Sequence, residues 1–226
     1  MTNSSSVYDE PCAQHLLAFM LAIARQLPGC LADQQPARSW AYGAHRPATR
    51  ILKSDTVLIL GYGAIGRRLA ELLSPFGVSV IGVRRVVRGD ESIPTYPLTH
   101  LEALLPKADH VVNILPANPS TNGLIGPSFL GQVKPGALFY NVGRGTTVDQ
   151  MALISALESG QLGGAYLDVT DPEPLPSDHP LWTCRNCYIT PHIAGGRQAE
   201  DSTLVSHFLD NLRRYLATEP LTDRII

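Results

Sequence analysis

Apolar residues along this chain fall into short runs, several of them β-branched, that alternate with longer stretches spaced as on one face of a helix. Residues 56–60, 78–83, 110–115, 137–142, 165–169 and 187–190 read as strands, several apolar enough to be buried on both faces. Helical patterns fill the gaps at 65–73, 101–105, 150–159 behind an N-capping Asp149, and 198–216. A further helix spans 11–26, ahead of Pro28 and Gly29. Strand and helix in strict alternation predict βαβ units, hence an α/β fold with a doubly wound parallel sheet. Residues 27–50, rich in Pro, Gln, Arg and Ala without periodicity, read as an extended arm that needs a surface to lie on.

Composition narrows the classes of function. The 226 residues carry a formal charge of −2 with no basic stripe, which gives nucleic-acid binding no electrostatic support. The only long apolar run, 16–24, is too short to span a bilayer, and the polar start lacks a basic leader, so no membrane partner and a cytoplasmic location are expected. The four cysteines form no framework. Cys184 and Cys187 have C-x-x-C spacing but no second pair answers them, so no metal site is expected.

Gly61-Tyr62-Gly63-Ala64-Ile65-Gly66 is G-x-G-x-x-G set between the apolar run VLIL and a helical pattern. In that context Gly61 allows a tight turn, Gly63 lets backbone approach a pyrophosphate, and Gly66 lets helix pack on strand, while the helix start offers amides to an anion. A glycine-rich turn that binds nothing is the alternative. The fold is thus expected to be a Rossmann-type NAD(P)-binding domain. Where NAD-specific folds carry an acid at the end of the second strand, this chain has Arg84-Arg85, with Arg88 beyond. Guanidinium groups can hold a 2′-phosphate, so NADP is preferred and NAD possible, unless these are solvated arginines at a strand end.

Three further segments follow strands: Asn141-Val142-Gly143-Arg144-Gly145; Leu167-Asp168-Val169 leading to Asp171-Pro172-Glu173-Pro174; and Thr190-Pro191-His192-Ile193-Ala194-Gly195-Gly196. Open α/β sheets place ligands at these strand ends, so one arginine, one glutamate and one histidine are expected in one crevice.

With the glycine motif, these segments resemble the D-isomer-specific 2-hydroxyacid dehydrogenases, the family that includes glyoxylate and hydroxypyruvate reductases. The resemblance extends over nearly the whole chain, including Pro135-Gly136-Ala137 and His179-Pro180-Leu181-Trp182. It implies hydride exchange between NAD(P)H and a small 2-oxo or 2-hydroxy acid, with Arg144, Glu173 and His192 as the catalytic set. It also implies that Asp168 contacts the nicotinamide side and that Leu115, Pro116 and Thr121 line the cofactor, with Val142, Gly143 and Gly195 beside them. The chemistry fits: Arg144 would grip a carboxylate, His192 would protonate a carbonyl oxygen, and Glu173 would favour the imidazolium.

Against the family pattern, the chain lacks the N-terminal part of the substrate domain. Residues 8–196 are expected to form the dinucleotide-binding domain with its first helix and arm, and 1–7 and 197–226 remnants of the other. Half the cleft wall would then be missing, and the last helix would expose an apolar face. That departure keeps a catalytically silent, dinucleotide-binding sensor or partner subunit open as the alternative. The first helix and arm resemble the family's dimer-forming elements, so a homodimer is expected.

Overall fold

The computed structural model describes residues 1–35 and 38–225. Seven strands form one sheet: β1 (Thr56–Leu60), β2 (Ser79–Val83), β3 (Thr95–Tyr96), β4 (His110–Asn113), β5 (Ala137–Asn141), β6 (Leu162–Leu167) and β7 (Cys187–Ile189). They are all parallel, in the order β3-β2-β1-β4-β5-β6-β7. This is a Rossmann-type fold, and the strand order turns back between β1 and β4, which opens a crevice beyond their C-terminal ends.

Eight helices flank the sheet among the described residues: α1 (Ser5–Ala24), α2 (Leu27–Asp33), α3 (Tyr42–Ala48), α4 (Ala64–Leu73), α5 (Leu101–Leu104), α6 (Pro127–Gln132), α7 (Gln150–Glu158) and α8 (Glu200–Leu216). The two-residue period of a strand sorts β1 between two cores. Val57 and Ile59 join Leu16, Met20, Leu69 and Leu73 beneath α1 and α4. Leu58 and Leu60 join Phe129, Leu153 and Ile154 beneath α6 and α7. The side chain of Asp149 caps α7 by accepting from the Ala152 amide at 3.0 Å.

Several expectations need correction. α1 begins at Ser5, not at residue 11, and Pro11 lies inside it. Full burial of Leu16 and Met20 is worth roughly 1.5–3 kcal/mol each, enough to offset an interior proline costing about 3 kcal/mol. The arm predicted over 27–50 contains α2 and α3, joined by a 2.7 Å contact between His45 Nε2 and Asp33 Oδ2. Its residues 36 and 37 lie outside the described residues. β6 starts at Leu162 rather than residue 165, and β3 and α6 join the predicted elements.

At the other end of the chain, Thr2 and Arg224 form an antiparallel bridge, and Asp223 accepts from the Ser6 amide at 2.9 Å. α8 exposes an apolar stripe of Val205, Phe208, Leu212 and Tyr215. No single helix among the described residues is long and apolar enough to cross a membrane.

Candidate active site

The glycine turn joins β1 to α4 at the crevice. Gly61 has φ +93°, and a Cβ there would stand 2.9 Å from the Ile114 carbonyl oxygen, so only glycine suits both the turn and the approach of the β4 end. At Gly66 a Cβ would press within 3.1 Å of Ile59, which sets how closely α4 packs on β1. Gly63 differs: its nearest neighbour would be the Gly61 carbonyl oxygen at 3.9 Å, so the space above it is open. No side chain caps α4, whose first amides at Ala64 and Ile65 face that space with the positive end of the helix dipole. A pyrophosphate fits this cradle, and a side chain at residue 63 would fill it.

The cleft encloses about 1250 Å³. At the β2 end it is lined by Arg84, Arg85 and Arg88. Arg84 is not free, because its Nη1 donates to Glu91 Oε1 at 2.9 Å, and the Glu91 side chain is only 3% exposed. Glu91 also accepts from the amides of Arg88 and Gly89 at 2.9 and 2.8 Å. The Arg88 amide first, helped by Gly89 and Arg84 against desolvation, holds the Glu91 carboxyl down at about 2. Glu91 therefore scaffolds the loop, while Arg85 and Arg88 are exposed and form no ion pair among the described residues. No sequence motif marks Glu91.

Beyond β4, Thr121 is buried and donates to the Pro116 carbonyl at 2.6 Å, folding the loop that presents Leu115 and Pro116 to the cleft. Beyond β5, a Cβ on Gly143 would lie 2.6 Å from the Leu115 carbonyl oxygen, so Val142 and Gly143 sit hard against that loop. The buried Asn113 donates to Asn141 Oδ1 at 2.9 Å and to Thr147 Oγ1 at 2.7 Å. Asn141 and Thr147 in turn donate to the Arg144 carbonyl. Arg144 is thus pinned by its backbone and leaves its guanidinium exposed on the cleft, where Nη1 donates to the Gly143 carbonyl at 2.6 Å.

His192 and Glu173 meet. His192 Nδ1 lies 2.8 Å from Glu173 Oε2, and Glu173 Oε1 accepts from the Thr170 amide at 3.0 Å. A carboxylate can only accept, so Nδ1 carries the proton and Nε2 faces the cleft. His192 is in the left-handed region at φ +53°, an uncommon state for a residue with a Cβ. Asp168, 3% exposed at the end of β6, holds it there. Its carbonyl accepts from the His192 amide at 2.8 Å, and its carboxylate from the Ile193 and Ala194 amides at 2.9 Å each. Asp168 therefore builds the histidine's loop as well as lining the cleft. Gly195 closes this end against Tyr8 of α1. Among the described residues no group of three His, Cys, Asp or Glu side chains gathers as metal ligands, and Cys184 and Cys187 are free thiols packed against the core.

Known proteins with this arrangement can be compared directly. Residues 17–194 match the family model for the NAD binding domain of D-isomer specific 2-hydroxyacid dehydrogenases. The chain belongs to this family. It is 32% identical over 229 residues to the human glyoxylate reductase/hydroxypyruvate reductase, a match covering 97% of this chain and 67% of that protein. A probable 2-hydroxyacid dehydrogenase from Rhizobium etli CFN 42, solved with NADP, HEPES and L(+)-tartaric acid, superposes with TM-score 0.87 at 29% identity, covering 100% of this chain and 70% of that one. A family member from Xanthobacter autotrophicus Py2, solved with NADPH and MES, superposes with TM-score 0.83 at 33% identity, covering 100% and 90%. The chain spans about two thirds of the length of the curated reductases it matches, and membership of the family makes it an NAD(P)-dependent oxidoreductase.

Proposed function

We propose that the protein reduces small 2-oxo acids of the glyoxylate and hydroxypyruvate type, with NADPH preferred over NADH. The observation that carries the reading is the 2.8 Å contact of His192 with Glu173 at one end of a cleft whose other end is the open glycine cradle. Gly61, Gly63 and Gly66, with the amides of Ala64 and Ile65, would hold the pyrophosphate. Arg84 and Arg85 would hold a 2′-phosphate, Arg84 by sharing its guanidinium with Glu91. Leu115, Pro116, Thr121, Val142, Gly143, Asp168 and Gly195 would enclose the nicotinamide half. A bound reduced nicotinamide supplies the hydride.

Arg144 grips the substrate carboxylate with its fork of donors and draws electron density from the adjacent carbonyl. His192 gives its Nε2 proton to the carbonyl oxygen while Glu173, accepting from Nδ1, stabilises the imidazolium beforehand. His192 is half exposed, so solvent can restore the proton. Residues 8–196 carry the cofactor in this reading. Residues 1–7 and 197–226 belong with the substrate domain, a division supported by the bridge that ties Thr2 to Arg224. The four free thiols accord with a cytoplasmic setting. A homodimer through α1 to α3 is supported by the exposure of Leu27, Leu31 and Trp182 around one shallow apolar pocket, and of Trp40 and Tyr42 on the arm.

The test is NADPH fluorescence, with NADH in parallel, on adding the protein and then glyoxylate, hydroxypyruvate, pyruvate or phenylpyruvate. Substrate-dependent loss of NADPH that His192→Ala and Arg144→Ala each cut by at least about a hundredfold supports the reading. Variants as active as the parent overturn it.

A further inference from the structure

Beneath the His192 loop, a chain of polar groups runs from α1 to Asp168 through the core. Thr190 Oγ1 lies 2.5 Å from Asp168 Oδ1 and 2.5 Å from the Tyr166 hydroxyl. His15 Nε2 bonds the Tyr166 hydroxyl, and stands 3.4 Å from Thr190 Oγ1 and 3.7 Å from Asp168 Oδ1. The Tyr166 ring is held by stacking on Phe19 at a centroid distance of 3.5 Å, and His15 tilts against both rings.

Counting protons gives the chain a direction. The Asp168 carboxylate has none to give, so the Thr190 hydroxyl donates to it. The one proton of Tyr166 must then go to Thr190, because Thr190 has spent its own. For Tyr166 also to bond His15, Nε2 must be the donor, as in a neutral imidazole protonated there. Every proton thus points towards Asp168. Desolvation keeps His15 neutral by lowering its pKa against the pull of Asp168, and pushes Tyr166 up so that its proton stays. Other titratable groups facing the cluster include Cys12, whose thiol burial pushes up to about 11, Asp9 and Arg144, whose charges act on Cys12, and Tyr140, whose ring lies 6.5 Å from that of Tyr166.

We propose that His15 is a positioning residue: its Nε2–H, relayed through Tyr166 and Thr190, fixes the Asp168 carboxylate and so holds the left-handed loop that aims His192. The relay supplies one of the three donors that hold the carboxylate, and the Ile193 and Ala194 amides are the other two. If the relay is cut, the Tyr166 oxygen loses the donor that holds it in place, the Thr190 bond to Asp168 loses its backing, and only the two amides keep their full hold on the carboxylate. The reading that His192 is the acid of a reductase supplies the functional consequence, but the loop itself can be measured without turnover.

The experiment compares the parent chain with His15→Leu and His15→Gln, whose amide nitrogen can replace the Nε2 donor. Amide hydrogen exchange is followed by NMR at Ile193, Ala194 and, as a reference, Val57, Ile59 and Val112. The Leu variant is expected to exchange at least about tenfold faster at residues 193 and 194 with the strand amides unchanged, and the Gln variant to match the parent. With 2-oxo acid and NADPH, the Leu variant is also expected to lose kcat about tenfold while KM for NADPH stays within twofold. Parent-like exchange at 193 and 194 in the Leu variant, or acceleration everywhere alike, overturns the proposal. Absence of any 2-oxo acid reduction by the parent overturns the reductase reading alone and leaves the exchange result standing.

Discussion

Acidification from pH 7 to 5.5 is expected to destabilise the fold through two histidines that burial keeps neutral. His110 on β4 is fully buried, with Nε2 3.1 Å from Asp55 Oδ2 and Nδ1 3.1 Å from the Tyr140 hydroxyl. Asp55 must accept, so Nε2 carries the proton and Nδ1 accepts from Tyr140. A second proton on Nδ1 would face a donor in a dry site. Desolvation lowers the pKa of His110 despite Asp55, and lowers that of His15 despite Asp168. Both folded pKa values therefore lie below the unfolded value of 6.5, and the stability tied to the neutral rings is complete above that pH. Below it the unfolded chain takes up protons that the folded chain refuses. The loss reaches at most about 1.4 kcal/mol per histidine at pH 5.5, or about 3 kcal/mol for the pair. The lowered carboxylates Glu10, Glu91 and Asp109 act below this window. Urea titrations at half-unit intervals should show the midpoint falling from pH 6.5 to 5.5, and His110→Gln should remove about half of the slope. A flat parent profile, or a Gln variant with the parent's slope, would refute the argument.

Gly63→Val should abolish NADPH binding, measured by fluorescence, while leaving the circular dichroism spectrum intact, because the added atoms would occupy the open cradle and touch little protein. Trp40→Asp, at a side chain 92% exposed, should leave the urea midpoint within error and shift sedimentation from dimer towards monomer. A monomeric parent would dispose of the dimer.

Strand positions were legible because burial on both faces demands consecutive apolar residues, and β1 agrees end for end. The start of β6 is hidden in the sequence because Gly163-Gly164 breaks the apolar pattern. Those glycines are required by neighbours, since a Cβ on Gly163 would lie 2.5 Å from the Gly136 carbonyl oxygen. β3 is too short to show a period, and α2 and α3 owe their placement to tertiary contacts such as His45 with Asp33. At the site, Arg144, Asp168, Glu173 and His192 stand out because each lies in a readable segment that follows a strand. Glu91 does not, because a loop acid beside arginines carries no motif, and Asn113, Thr147 and the His15 chain do not, because their meaning lies in partners 28 to 175 residues away. Gly145 is a middle case. It sits within a readable segment, but only the fold shows that a Cβ there would stand 1.9 Å from the Thr170 carbonyl oxygen.

The order of strands also sorts the chain into heritable blocks. The ends of β1, β2 and β4 carry the glycine cradle, the arginines Arg84 and Arg85 and the loop of residues 115–121, and the ends of β5, β6 and β7 carry Arg144, Glu173 and His192 beside Val142, Gly143, Asp168 and Gly195. Each set is contiguous in sequence, so the residues at the β2 end that would choose between dinucleotides can drift without disturbing Arg144 or His192. A recombination point between residues 121 and 137 would exchange one block for a relative's. Compatibility would then be decided at a narrow seam, where Asn113 grips Asn141 and Thr147 and Gly143 passes under Leu115.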